Sequence, residues 1–458
     1  MTTSPPDPTS PLAATAPLGC PVAHAPAGGP RPVYGPEAEA EPYAFYEQLR
    51  AEHGAVAPVL LYGGVPAWLV LGHREALEVM RSPLYSSDSR NWHAFRQGTL
   101  PADSPLLPIT AWQPLVALTE GAEHARLREA VTESLARVNP HRVRRYITRY
   151  ATRLIDAFAP TGQADLVADF SRKLPALVVC QLLGIREEDA LTAGAAVADM
   201  ISGSASAAQS NQLIVEMMSE LVESRKRRPG DDLASWLLVH PSELSDEEVR
   251  EHLRLALVAA LEPTTNLIAS ALRMLLTDER FRGNLSGGQM TLPDALEQVL
   301  WDHPPLAVVP TRWAKADTYL GGAQIMAGDM VMLGLAAGNV DPAIRPDLMM
   351  PMYGNRSHLA FGAGAHECPG QALGRAVADA GIDLLLERIP DIRLAVDGNE
   401  VQVVGTWMSR RLTSLPVTFA PQRGAQKPAA VQSHAEPLPQ PEAVPARQER
   451  RRGWLRSR

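Results

Sequence analysis

Cysteine is scarce in this sequence: three residues, at 20, 180 and 368, among 458. None belongs to a CxxC pair and no even ladder of spacings is present. A disulfide scaffold and a cysteine-rich zinc module are thereby excluded. Aromatic residues are few, at 5%, and neither sign of charge dominates: 43 basic against 51 acidic residues leave −8. That balance argues against a general nucleic-acid-binding protein, because phosphate recognition needs a basic face. No uninterrupted apolar run reaches the ~18 residues of a transmembrane segment. The first twenty residues lack a basic stretch followed by an apolar one, so no secretory signal is read there. The expectation is a cytoplasmic protein of a reducing compartment.

Proline is plentiful but uneven. Of 40 prolines, 10 lie in residues 1–36 and 6 in residues 421–458. Such segments bury too little apolar surface to offset the entropy of ordering. We expect a disordered Pro/Ala-rich leader at 1–36 that contains Cys20, one body at 37–420, and a disordered tail at 421–458. The last twelve residues hold six arginines and one glutamate around Trp454 and Leu455, a net +5. They read either as a solvated tail or as a docking segment for an acidic partner or a membrane surface.

The 45% apolar content suffices for a large core. The body reads as mainly α, a helix-rich α+β chain. Strands are expected at Val56–Leu61 and Ala67–Leu71, parted by Gly63-Gly64, and again near 317–320 and 329–333. Helical patterns run at 73–81, 122–137, 140–159, 166–183, 187–202, 209–227, 231–239 and 370–388, with one more from Thr291 to before Pro304. The clearest is 246–277, opened by Ser245 and Glu248 as a capping box. Its 32 residues would span ~48 Å. It is apolar nearly all round from Leu253 to Leu276, which predicts a buried central helix. Cys180 lies in the apolar run Ala176–Leu183 and is expected in the core.

The most informative stretch is His358-Leu-Ala-Phe361-Gly362-Ala-Gly364-Ala-His366-Glu-Cys368-Pro-Gly370. Gly362 and Gly364 permit a tight loop and a close approach by a flat ligand. Cys368 stands where the loop becomes the last long helix, with Pro369 suited to its first position. A helix N-terminus should acidify the thiol. Such a thiolate could be a nucleophile, a redox thiol or a metal ligand. No triad partner or second nearby cysteine is evident, and ligation of haem iron fits best.

This stretch resembles the haem-binding loop of the cytochrome P-450 superfamily, Phe-Gly-x-Gly-x-His-x-Cys-x-Gly, at every fixed position. Residues 37–420 resemble a whole bacterial member. The resemblance implies a large helical domain with a long central helix and small β-sheets, binding haem b through Cys368. It places Phe361, Gly362, Gly364 and Gly370 around the haem. His124 and Arg128 are similar to the family's His-x-x-x-Arg pair, and Arg312 to the arginine leading the strand after the Pro-Pro turn. With His358 they are expected to meet the haem propionates. Arg126, facing away from that pair, is expected in solvent.

Two departures from the family pattern stand out. The Glu-x-x-Arg of the helix before Pro304-Pro305 is missing: Gln298 and Trp301 hold its positions, and Tyr353 holds that of its usual arginine partner. An incomplete buried ion network costs ~3–5 kcal/mol, whereas wholesale neutral replacement can be harmless. We therefore expect Gln298, Trp301 and Tyr353 to form a neutral, hydrogen-bonded, stacked substitute, with Glu297 an exposed neighbour. The segment resembles an actinobacterial subgroup that lacks the motif. On the central helix the family carries an acid and a threonine that deliver protons. Here Glu262 matches the acid, Pro263 takes the threonine position and Thr264 follows. Either Thr264 supplies the hydroxyl or an ordered water bridges from Glu262. Pro263 should open a kink opposite Ala259.

The resemblance implies a monooxygenase that inserts one oxygen atom of O2 into a small organic substrate. No Gly-x-Gly-x-x-Gly signature or iron–sulfur cysteine set is present, so ferredoxin and ferredoxin reductase are the implied electron donors. The alternative is a non-catalytic haem protein, a sensor or partner in a larger assembly. Segments 85–120 and 187–210 would line the substrate pocket in the family.

Overall fold

The computed structural model describes residues 29–422, apart from 102, 103, 105 and 203–205. Cys20, Trp454, Leu455 and the arginine-rich end lie outside the described residues.

The apolar, valine-rich runs Val56–Leu61 and Val65–Val70 form an antiparallel hairpin, with Val56 opposite Val70. Gly63 and Gly64 turn it at φ +79° and +71°, a left-handed backbone that only glycine adopts without strain. The hairpin sits in a five-stranded sheet whose other members are Arg31–Pro32, Val331–Gly334 and Val308–Val309. The body thus begins earlier than expected. Arg31–Pro32 pairs in parallel with Val59–Leu60, and Arg31 bonds Gln48 Oε1 at 3.1 Å.

Helices supply most of the remaining mass. His73–Arg81 and Asp246–Thr277 occupy their expected residues, and Gly121–Ala136 and Pro140–Phe158 differ from expectation by one. The pattern at 166–183 divides into a π-helical turn, Val167–Ser171, and an α-helix, Lys173–Leu183. The segment 187–202 opens with a 3-10 turn before helix Ala190–Ser202. Cys180 is fully buried in the core, and burial pushes its thiol up to about 12.

The central helix starts as its sequence directs. Ser245 Oγ accepts the Glu248 N–H at 3.2 Å, and the Ser245 N–H bonds Glu248 Oε2 at 2.8 Å. The helix runs unbroken through Pro263. It packs against helices Lys173–Leu183, Ala207–Arg227, Leu292–Asp302 and Gln371–Arg388. It is long and apolar enough to cross a membrane, but 61% of its most apolar stretch is buried inside the body. Near its middle one stripe stays accessible: Ala259 is exposed, and Ala256, Ala260 and Pro263 are half-buried. Those positions share one helical face.

Candidate functional site

The cysteine loop is built by local backbone demands. Gly362 and Gly364 sit at φ +67° and +71°. A Cβ on Gly364 would stand 2.5 Å from the Met80 carbonyl oxygen, so no other residue fits there. The Cys368 N–H donates to the Phe361 carbonyl at 2.9 Å, which closes the loop. Gly370 caps helix Gln371–Arg388, so Pro369 precedes the helix instead of occupying its first position. Cys368 therefore lies two residues before the helix cap. Burial pushes its thiol up, against pulls from the Gly370 N–H and Arg128. The expected acidification by the helix end is outweighed.

Beside this loop lies a group of cationic and imidazole side chains. Arg312 is 6% exposed, and among the described residues its guanidinium hydrogen-bonds its neighbour's carbonyl alone, Thr311 O at 2.7 Å. Burial lowers it to about 10. His124 is buried with Nε2 unpartnered. Its ring lies 4.2 Å from that of His366. Burial lowers His124, helped by Arg128 and Arg312. Burial, Arg312, His124 and Arg128 together lower His366 to about 3. Among the described residues Arg128 makes no ion pair. The carboxylates at the start of its helix are turned elsewhere, Glu120 to Lys315 and Glu123 to Arg90. Buried cations without anions are costly. The arrangement fits a ligand that brings its own carboxylates, as haem does with two propionates.

On the central helix, Glu262 and Thr264 are buried. Asn266 Nδ2 lies 3.4 Å from Glu262 Oε1. Thr264 Oγ1 would lie 3.7 Å from a Cβ on Gly374, so the hydroxyl faces the helix that follows Cys368.

Several expectations fail around helix Leu292–Asp302. Gln298, Trp301 and Tyr353 do not form one neutral set. Gln298 Nε2 donates to Asp302 Oδ2 at 2.8 Å, and its Oε1 accepts the Met352 N–H at 2.7 Å. Trp301 is fully buried, donating from Nε1 to Asn355 O at 2.8 Å. Its ring stacks on His73 at 6.2 Å and meets His358 edge-on at 6.0 Å. Tyr353 packs instead on Phe281. Glu297, expected in solvent, is 3% exposed. Eight of the helix's eleven residues are buried, so every face meets protein. Glu297 takes Arg375 in a two-point ion pair, Nε–Oε1 2.8 Å and Nη2–Oε2 3.0 Å. It also takes His358 Nε2 at 2.9 Å.

His358 is therefore engaged on both ring nitrogens, Nδ1 accepting the Ala360 N–H at 3.2 Å. It faces Glu297 rather than the cationic group. Arg126 keeps 37% of its side chain exposed but is not free in solvent: it binds Ser242 O at 3.1 Å and pairs with Glu248, tying Gly121–Ala136 to the start of the central helix. Sequence reasoning passed over His366, Glu297 and Arg375 as individual site residues. The place of His366 two residues before the cysteine was a signal. The all-round apolar character of the helix was one for Glu297. Arg375 offered none.

A mainly helical body whose long buried helix packs on the helix that follows the cysteine, with cations unpaired among the described residues beside the cysteine loop, defines a class of proteins able to hold a flat, anionic prosthetic group. No family model matches the chain. It is 33% identical over 380 residues to 2-hydroxy-5-methyl-1-naphthoate 7-hydroxylase of Streptomyces carzinostaticus, covering 80% of this chain and 92% of that one. It is 31% identical to vitamin D(3) 25-hydroxylase of Pseudonocardia autotrophica, covering 83% and 94%. The structure of CYP154A1 from Streptomyces coelicolor A3(2) superposes with a TM-score of 0.77 at 27% identity, covering 85% of this chain and 100% of that one. The chain belongs to the cytochrome P450 superfamily. It is an oxidoreductase that incorporates oxygen from O2, and its cofactor is haem b.

Proposed function

We propose that the chain is a cytoplasmic haem-thiolate monooxygenase that inserts one oxygen atom into a small organic substrate and takes its electrons from ferredoxin and ferredoxin reductase. The observation that carries this reading is the group of buried Arg312 and His124 with half-buried Arg128 and His366 beside the Cys368 loop, in which neither arginine makes an ion pair among the described residues. Cys368 is the iron ligand. Burial disfavours its free thiolate, but coordination to a metal ionises a thiol outright. Phe361, Gly362, Gly364 and Gly370 shape the loop so that a flat ring can approach it. Arg312 and Arg128 meet the propionates, with His124 and His366 donating from their ring nitrogens. His358 supports the loop from behind rather than touching the haem.

When bound, the haem activates O2 for insertion. The chain's own task is to bring protons. Glu262, whose Oε1 lies 3.4 Å from Asn266 Nδ2, is the carboxyl we assign to proton delivery. The Thr264 hydroxyl is the second group we assign to it, one residue beyond the accessible stripe of Ala256, Ala259, Ala260 and Pro263. The hydroxylase names of the relatives support oxygen insertion into an organic substrate, and residues 85–120 and 187–210 are the segments we assign to substrate contact.

The test is Cys368→His. Purified with haem, the variant should retain part of its haem and lose the red-shifted Soret band that thiolate ligation gives the reduced carbon-monoxide complex. A freshly reduced wild type without that band would refute the reading.

A further inference from the structure

We infer that Glu297 is the positioning residue of the Cys368 loop, a single buried carboxylate that fixes both flanks of the loop through His358 and Arg375. This inference rests on the reading of Cys368 as the iron ligand.

The two partners bracket the cysteine in sequence, His358 ten residues before it and Arg375 seven after. In space they converge on one carboxylate that is 3% exposed. From His358 the route to the loop is short: Nδ1 accepts the Ala360 N–H at 3.2 Å. With Nδ1 an acceptor, the ring proton sits on Nε2 and is donated to Glu297 Oε2 at 2.9 Å. From Arg375 the route runs through its guanidinium, 4.4 Å over the Phe361 ring. The carbonyl of that same Phe361 accepts the Cys368 N–H at 2.9 Å. Both anchors thus act on the backbone that aims the sulfur.

No neighbouring side chain stands in for this carboxylate. Gln298 is turned to Asp302 and Met352. Asp302 pairs with Arg345 at 2.8 Å. Trp301 is bound to Asn355. Arg356 also approaches Glu297, at 3.7 Å, from solvent. Among the described residues Arg375 has no other ion pair. A planar guanidinium gripped at two points is held in orientation as well as in place. Removing the carboxylate would free the Arg375 fork and the His358 ring together, and leave Phe361 and Ala360 to drift.

The test compares haem-loaded Glu297→Gln, Glu297→Asp and a control, Arg345→Met, which breaks the neighbouring buried ion pair without touching the loop. Two readouts are followed: decay of the thiolate Soret band of the reduced carbon-monoxide complex, and transfer of haem to apomyoglobin. Glu297→Gln should speed both by ~10- to 100-fold, the usual range when a group that orients a metal ligand is lost. Glu297→Asp, which keeps the charge, should recover part of that loss. Arg345→Met should lower the melting temperature yet keep a stable thiolate band. The inference is overturned if Glu297→Gln decays at the wild-type rate, or if Arg345→Met decays as fast at the same loss of stability. Should Glu297→Gln fail to fold, Glu297→Asp carries the same test: a wild-type band and haem-transfer rate overturn the inference, and faster decay than in Arg345→Met supports it. A wild type lacking the thiolate band would overturn the ligand reading itself, and the wild-type spectrum reports that separately.

Discussion

Placing a cation at Trp301 should be among the most damaging single changes in this protein. The indole is wholly buried, stacked on His73, edge-on to His358 and bonded to Asn355 O. Emptying such a site costs ~3–5 kcal/mol, of which an arginine stem would recover part. A guanidinium would also meet Arg345, whose charge already sits 5.9 Å from the ring centre. Two like charges at that separation repel by ~3 kcal/mol at an effective dielectric of about 20. The nearest carboxylates, Glu297 and Asp302, are already paired with Arg375 and Arg345. We therefore expect Trp301→Arg to lose ~4 kcal/mol or more. Trp301→Phe keeps the stack but strands the Asn355 carbonyl, which costs ~1–3 kcal/mol. Adding Glu at 298 and Arg at 353 should not rescue Trp301→Arg, because position 298 faces the Asp302 carboxylate and position 353 faces Phe281. Urea unfolding followed by circular dichroism at matched haem content gives the free energies. A loss under ~1 kcal/mol for Trp301→Arg, or full rescue by the triple variant, would refute this account of the buried site.

Arg312→Leu should weaken haem retention, measured by transfer to apomyoglobin. It should leave the haem-free protein as stable as before or more so, because a lone buried cation is removed. Thr264→Ala should keep haem binding but lower product formed per reduced cofactor consumed, with more electrons leaving as hydrogen peroxide, and Pro263→Thr should raise that ratio. Equal ratios across these variants would remove Thr264 from proton delivery. Burial tends to raise Glu297, yet His358 and Arg375 hold it at about 2 against an ordinary 4.5. Its folded value is depressed, so its contribution of up to ~3 kcal/mol is complete above pH ~4.5 and fades as pH falls through about 2. Acid unfolding curves should show this loss in wild type and its absence in Glu297→Gln.

Much of the architecture is local and therefore legible in the chain. The capping box of Ser245 and Glu248 sets the start of the central helix within four residues. The Gly63-Gly64 turn needs only the backbone freedom of glycine. The loop from Phe361 to Gly370 announces its ligand by residue types at fixed spacing, and the family follows from it. The short strands Arg393–Leu394, Val403–Gly405, Arg410–Leu412 and Pro416–Thr418 carried no such signal. Their pairing depends on distant partners, as when Val417 meets Ala164.

The polar interior was decided by tertiary structure alone. Three charges missing from a familiar pattern suggested a neutral site. The fold instead moved the anion one residue along the helix, to Glu297, and met it with Arg375 from 78 residues away and His358 from 61. Sequence spacing fixes which face of a helix a residue occupies, but not which helix will pack there. Glu297 is buried because its helix is covered on every side. Arg126, still part-exposed, is drawn into an ion pair because the start of the central helix brings Glu248 to it. A carboxylate's surroundings, and so its charge and its role, are set by the elements packed around it, and those lie far along the chain.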